Sequence, residues 1–377
     1  MEAVHFLQSL LQVNSSNPPG NEHRVAEIFQ KRCRKLGISH RIDRLEETRS
    51  NFIVEYKGGS PRKLLLCGHM DTVIPGEVEW EYSPYSGEIV GSRIYGRGAS
   101  DMKSGLAAMY LALEELILEK AELPLSVEFL ATAGEEVDSC GAIDYVNNDY
   151  SSDIEAIIIG EPTNEKIGIG HKGALWLEIV TFGKTAHGSM PGQGINAIHQ
   201  MMKVIELLDD LKLQWQLSNQ PLGDSSMAVT KINGGIQTNV IPDRCSLQID
   251  IRTVPPQSHQ NLIKELKERL DSIKSQDSHF EFEIIQLLDR SSIITKPEST
   301  LIKCALELKE KNIKDCYGVS YYTDGAVLNP HNLIPTLIYG PGDEKLAHQP
   351  NEWVDIDAYT RAIRFYKNLI VKFCSYY

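Results

Sequence analysis

An apolar run that ends in Gly-His-x-Asp narrows what this chain can become. Leu64-Leu65-Leu66-Cys67 is followed by Gly68 and then by His69-Met70-Asp71. Four consecutive apolar residues without alternation suit a strand buried on both faces, as in a parallel sheet covered by helices. His69 and Asp71, two positions apart on an extended chain, point to one side. An imidazole and a carboxylate at the mouth of a buried strand suit a metal-bound histidine held by a supporting carboxylate, or a pair of ligands. More such groups follow strand-like segments and glycine-rich turns: Asp101, Glu135, Glu136, Glu161 and His348. The pattern reads as a metallohydrolase.

The rest of the chain supplies a frame for that strand. Helical spacing of apolar residues predicts helices at the N-terminus (Val4, Leu7, Leu10, Leu11), over 22–36 and over 104–120. Apolar strands are expected at 51–56, 63–67, 126–132 and 156–159. Strands alternating with helices predict an α/β domain with a mainly parallel sheet. After Gly173 the pattern changes to strand, helix, two strands, helix, strand, which is the ferredoxin-like α+β order. Past Pro297 the α/β pattern returns, with a closing helix from about 356, a boundary read to within a few residues. The expected organisation is therefore a discontinuous catalytic domain, residues 1–172 and 288–377, interrupted by an inserted domain at 173–287.

Composition excludes several functions. The net charge of −13 leaves no basic block for nucleic acid. No apolar stretch reaches the roughly 18 residues of a membrane span, and Met1-Glu2-Ala3-Val4-His5 lacks the basic start of a signal peptide. Seven scattered cysteines without a CxxC pair indicate neither a disulfide framework nor a thiolate zinc site, and a reducing cytoplasm is the expected setting. There is no Gly-x-Ser-x-Gly elbow in a suitable context, and Cys67 sits within an apolar strand where a thiol is inert.

Singly, each candidate has an ordinary explanation: a capped histidine, a solvated Glu135-Glu136 pair, a Gly160-Glu161-Pro162-Thr163 turn. Jointly they follow several strand ends, where ligands collect in open α/β sheets. Asp101 lies in Gly96-Arg97-Gly98-Ala99-Ser100-Asp101, a tight turn ahead of a helix. Carboxylates and imidazoles together hold zinc, and a bridging carboxylate holds two metals close.

The blocks from Gly68 to Val73, from Gly96 to Gly105 and at Gly134-Glu135-Glu136 resemble the co-catalytic zinc peptidase and deacylase family in order and spacing, over nearly the whole chain. The resemblance implies a zinc-exopeptidase-like catalytic domain whose insertion serves as lid and dimerisation domain of a homodimer. It implies two zinc ions per subunit, with cobalt as a substitute. Asp101 would bridge them, His69 and Glu161 would complete one, and Glu136 and His348 the other. Asp71 would hydrogen-bond and orient His69, and Glu135 would be the general base. His187, in Thr185-Ala186-His187-Gly188, would donate to the oxyanion in the partner subunit's active site, with Asn239 as a second donor. Arg252 would bind a substrate carboxylate, although a salt bridge with Asp250 or Asp243 explains it equally well from sequence. Lys172 and Gly325 match segments near the substrate.

Gly160-Glu161-Pro162-Thr163 resembles the deacylase branch; peptidases of the family often carry Asp at the position of Glu161. The implied substrate is a small N-acyl amino acid: N-succinyl-LL-2,6-diaminopimelate of lysine biosynthesis first, N-acetylornithine of arginine biosynthesis second, a peptide third. A zinc-binding scaffold is the non-enzymatic alternative, and an ionisable Glu135 beside an intact ligand set counts against it.

Overall fold

The structure, a computed structural model, describes residues 1–148 and 153–377. They divide into two compact units. One comprises Met1–Gly170, Ile294–Val319 and Thr323–Tyr377, and the other His171–Ile293 with Ser320–Tyr322.

The apolar run Leu64-Leu65-Leu66-Cys67 lies in the strand Ser60–His69. Its side chains alternate between two separate cores. Leu64 and Leu66 join the cluster that includes Phe29, Phe129 and Leu106, whereas Leu65 and Cys67 join Ile157, Ile159 and Tyr145. All four are fully buried, so the strand is apolar on both faces because both faces are covered. Around it, Leu125–Thr132, Ser60–His69, Ile154–Ile159 and Thr336–Ile338 form a parallel centre. Antiparallel strands flank it, Ser50–Tyr56 and Arg41–Arg44 on one side and Gly168–His171 on the other. Nine strands belong to this sheet among the described residues.

Parallel strands have a common C-terminal edge, and five candidate residues arrive there. His69 ends its strand, Glu135 and Glu136 follow Thr132, Glu161 follows Ile159, and His348 lies in the segment after Ile338. Asp101 lies two residues before the helix Lys103–Leu118, whose residues are nearly all buried. That helix approaches the sheet closely through glycine. A Cβ on Gly105 would stand 1.8 Å from the carbonyl oxygen of Gly160, the residue before Glu161.

The second unit has its own core and the expected strand order. Gly173–Phe182, Ser226–Gly234, Arg244–Thr253 and Glu281–Arg290 form an antiparallel sheet in which the first strand lies between the third and the fourth. Leu175, Leu177 and Ile179 meet Leu247, Ile249 and Ile251 under the helices Ala197–Gln214 and His259–Gln276. One sequence boundary needs correction. The strand Glu281–Arg290 runs through the expected border at 287/288, with a register shift between Gln286 and Leu288. A bulge interrupts alternation, and the strand therefore reads as ending early. The helix Cys140–Asn147 and the small sheet of Glu88–Val90, Arg93–Tyr95 and Trp353–Asp355 are also absent from the sequence reading, being too short to show a period.

Among the described residues no helix is long and apolar enough to cross a membrane.

The Gly105–Gly160 contact predicts a specific failure. In Gly105→Ala the added methyl meets backbone that cannot rotate away, so stability should fall by about 3 kcal/mol or more. Thermal unfolding of the purified variant measures this; an unchanged midpoint would contradict the packing.

Candidate metal centre

His69 Nε2 lies 3.2 Å from Asp101 Oδ1 and 3.5 Å from Glu161 Oε1. His348 Nε2 lies 3.4 Å from Asp101 Oδ2 and 3.2 Å from Glu136 Oε2. Asp101 thus turns one carboxylate oxygen to each imidazole. The result is two donor sets, His69–Asp101–Glu161 and Asp101–Glu136–His348, in each of which the ligand atoms lie within 4.8 Å of one another. Glu135 stands beside them, with Oε2 4.0 Å from His69 Nε2. All six of these residues come from the first unit, at the C-terminal edge of its sheet.

Charge explains what the cluster needs. Four carboxyls face two imidazoles. Burial pushes Glu135 well up, and Glu161, Asp324 and Glu136 add to this against the pull of His69. Burial and Asp101 likewise push Glu161 well up. Glu136 is raised by burial and by Asp101, although His348 opposes. Burial would raise Asp101 too, yet hydrogen bonds from His348 and His69 overcome it and hold this carboxyl below its usual range. His69 is raised despite burial, by its bond to Asp101 and the charges of Glu161 and Glu135. His348 is lifted to about 10 by Asp101 and Glu136. Glu136 Oε1 is buried without a hydrogen-bond partner. Excess buried negative charge, an orphaned carboxylate oxygen and a mixed imidazole–carboxylate donor set fit divalent cations.

Asp71 supports the cluster differently from its expected role. Its carboxylate lies 3.6 Å from His69 Nδ1, too far for a hydrogen bond, and the ring nitrogen instead meets the backbone carbonyl of Asp71 at 3.0 Å. The carboxylate is claimed by three consecutive backbone amides, those of Gly134, Glu135 and Glu136, at 3.1, 3.2 and 3.2 Å. Asn17 donates a fourth bond. Asp71 therefore aims the Glu135–Glu136 turn. Asn17 was not among the sequence candidates. Asp324, in the Thr323-Asp324-Gly325 segment that the sequence places near the substrate or in a turn opening a helix, has a buried carboxylate that accepts from Thr132 Oγ1 at 2.6 Å. Gly325 follows Asp324 and opens the short helix Gly325–Leu328. Cys67 is fully buried and burial drives its thiol upward, which leaves no nucleophile there.

In the second unit, the four other candidates form two pairs. His187 bridges Val240 and Gly188 donates to the carbonyl of Asn239, which brings exposed His187 and Asn239 together. This pair follows the Phe182–Arg244 end of the sheet. Lys172 and Arg252 lie at the other end, where Gly173 pairs with Thr253, about 30 Å away along ten-residue strands. Lys172 Nζ donates to the carbonyl of Asp224. Arg252 pairs with Asp250 at 2.9 Å, so its guanidinium already has a carboxylate partner.

A sequence model of Peptidase family M20/M25/M40 matches residues 65–372, and the chain belongs to that family. It is a hydrolase of amide bonds. The "Probable succinyl-diaminopimelate desuccinylase" of Staphylococcus aureus (strain MSSA476) is 29% identical over 99% of this chain and 97% of its own length. The "Acetylornithine deacetylase" of Buchnera aphidicola subsp. Acyrthosiphon pisum (strain Tuc7) is 33% identical over 82% of this chain and 81% of its own. The crystal structure of an M20-family metallo-carboxypeptidase from Sulfolobus solfataricus has the same fold, with a TM-score of 0.80 over 100% of both chains at 22% identity.

Protons and cations compete for this cluster. At neutral pH His348, lifted to about 10, holds a proton that a divalent ion must displace. Metal uptake should therefore release protons and tighten as pH rises toward about 10, where His348 loses its proton unaided. Calorimetry in buffers of different ionisation enthalpy measures the release, and uptake without it would contradict the assigned protonation.

Proposed function

We propose that the protein is a two-metal N-acyl-amino-acid amidohydrolase that cleaves N-succinyl-LL-2,6-diaminopimelate to succinate and LL-2,6-diaminopimelate, a step of lysine biosynthesis. The observation that carries the hydrolytic reading is Asp101 with one oxygen toward each of two donor sets, and Glu135 beside them. In this reading His69 and Glu161 hold one ion, Glu136 and His348 the other, and Asp101 both. Divalent ions held there, zinc with cobalt as a substitute, would acidify a water molecule and polarise the scissile carbonyl.

The chain's own groups do the proton work. Glu135 takes a proton from the attacking water and returns it to the departing amine. Its burial among carboxylates raises its affinity for that proton, which suits a base that must later act as an acid. Arg252 binds a substrate carboxylate in exchange for, or alongside, Asp250. Lys172 and Gly325 line the substrate, and His187 and Asn239 donate to the developing oxyanion in a second copy of the chain. Seven free cysteines suit a reducing cytoplasm.

Succinyl-diaminopimelate is put first because relatives matched over nearly full length bear the desuccinylase name. The Buchnera enzyme, 33% identical, supports N-acetylornithine as a second reading. Rates on both compounds and on dipeptides, measured side by side with metal-replete enzyme, decide between them. N-succinyl-LL-2,6-diaminopimelate should be turned over fastest, and a faster N-acetylornithine would replace the first reading by the second.

Glu135→Gln should retain both ions while kcat drops roughly 10²- to 10⁴-fold, the range of general-base contributions. Metal analysis beside steady-state kinetics tests this, and near wild-type turnover would remove Glu135 from its role.

Dimerisation through the second unit is supported by its edge strand. Ser226–Gly234 is exposed at every position except Met227, and Ile232, Met202 and Ile198 are 51%, 55% and 37% exposed. Such an edge is a template for pairing with another copy. Sedimentation should show a dimer, and Ile232→Lys should yield inactive monomer. An active wild-type monomer would contradict the cross-subunit role of His187.

A further inference from the structure

Glu352 is fully buried, and its carboxylate is surrounded by donors. Oε2 accepts from Arg97 Nη1 at 2.7 Å and from the amide of Gly98 at 3.1 Å. Oε1 accepts from the amides of Ser100 and Asp101 at 2.7 and 2.9 Å. One side chain thus holds the whole turn that ends in Asp101. The same turn is tied to the segment that carries His348. Ser100 Oγ donates to the carbonyl of Asp343 and accepts from its amide, at 2.9 and 2.7 Å. The amide of Gly96 donates to the carbonyl of Glu352, and Arg97 Nη1 reaches the carbonyl of Gln349. His348 therefore sits on a loop pinned to the Asp101 turn at both of its ends.

That loop needs pinning. His348 has φ +63°, a left-handed backbone that a residue with a Cβ holds only when its surroundings impose it. Its side chain is half-exposed, so packing does little to fix it. The other donor set is anchored elsewhere. His69 ends a central strand and is bonded to the Asp71 carbonyl, and Glu161 follows another central strand, where a Cβ on Gly340 would stand 2.5 Å from its carbonyl oxygen.

We propose that Glu352, with Arg97, is the positioning residue that sets Asp101 and His348 in register with Glu136, and so assembles the second donor set. The inference rests on the two-ion reading above. It follows that Glu352 controls one ion more than the other. Glutamine is a sharp probe because all four partners are donors: its amide oxygen accepts as before, but its NH2 faces N–H groups. Outer partners of this kind typically change metal affinity about 10- to 100-fold.

The test titrates cobalt(II) into metal-free wild type, Glu352→Gln and Glu352→Asp, by calorimetry and by the visible spectrum of the bound ion. Thermal unfolding of the metal-free proteins runs alongside. Wild type should take up two ions. Glu352→Gln should keep one within about threefold of wild-type affinity and bind the other at least tenfold more weakly, with the spectral change confined to that second equivalent. Glu352→Asp, which keeps the charge, should recover part of the lost affinity. If the glutamine variant does not fold, the aspartate variant is read by the same criterion, the second ion weakened and the first kept. Two ions at wild-type affinity in the variants, or equal weakening of both, would overturn the inference and leave the two-ion reading intact. Fewer than two ions in wild type would overturn that reading and the inference with it.

Discussion

Mutual repulsion among buried carboxylates at one edge of a parallel sheet is the constraint that the rest of this structure serves. Asp101, Glu135, Glu136 and Glu161, with Asp324 close by, occupy a volume in which His69 and His348 are the balancing cations. No hydrophobic gain comes from placing these groups together, and each is costly to bury charged. The fold tolerates the arrangement because the sheet and its covering helices bury large apolar cores independently of it. Such a concentration of uncompensated acid is intelligible as a cage for cations, with Asp101 common to both halves.

Backbone geometry delivers the groups to within a few ångströms. Parallel strands bring His69, Glu135, Glu136 and Glu161 to one edge, and glycine allows the remaining elements to close on them. The Lys103–Leu118 helix meets Gly160 through Gly105, and a Cβ on Gly342 would stand 2.2 Å from the carbonyl oxygen of Ser100. Two further carboxylates act on backbone amides. Asp71 gathers those of Gly134, Glu135 and Glu136, and Glu352 those of Gly98, Ser100 and Asp101. The donor side chains are thus aimed by acids that do not themselves enter the cluster, which is how a loop reaches the precision of a strand.

Much of this was legible in the sequence, for local reasons. Leu64 to Cys67 announces a strand covered on both faces, and Glu135, Glu136 and Glu161 are visible because each closely follows a similar run. The pairing of particular donors came from family resemblance rather than from pattern, and the structure brings the same five residues together. What escaped was set by contacts distant in sequence. Nothing local marks Glu352, 251 residues from Asp101, as its holder. The sequence also suggests that Asp71 serves His69, since they are near neighbours, whereas the amides it binds are more than sixty residues away. Arg252 could not be separated from its ion pair with Asp250 by reading residues, and the pair is what the structure contains. The bulge near Leu288 hid the end of a strand for the same reason: pairing partners, not composition, determine where it stops.

The central claim is that Asp101 is shared between two cation sites. Anomalous diffraction from zinc-loaded crystals tests it most directly. The account predicts two peaks on either side of the Asp101 carboxylate, one near His69 and Glu161 and the other near Glu136 and His348. A single peak, or two peaks of which only one touches Asp101, would contradict it.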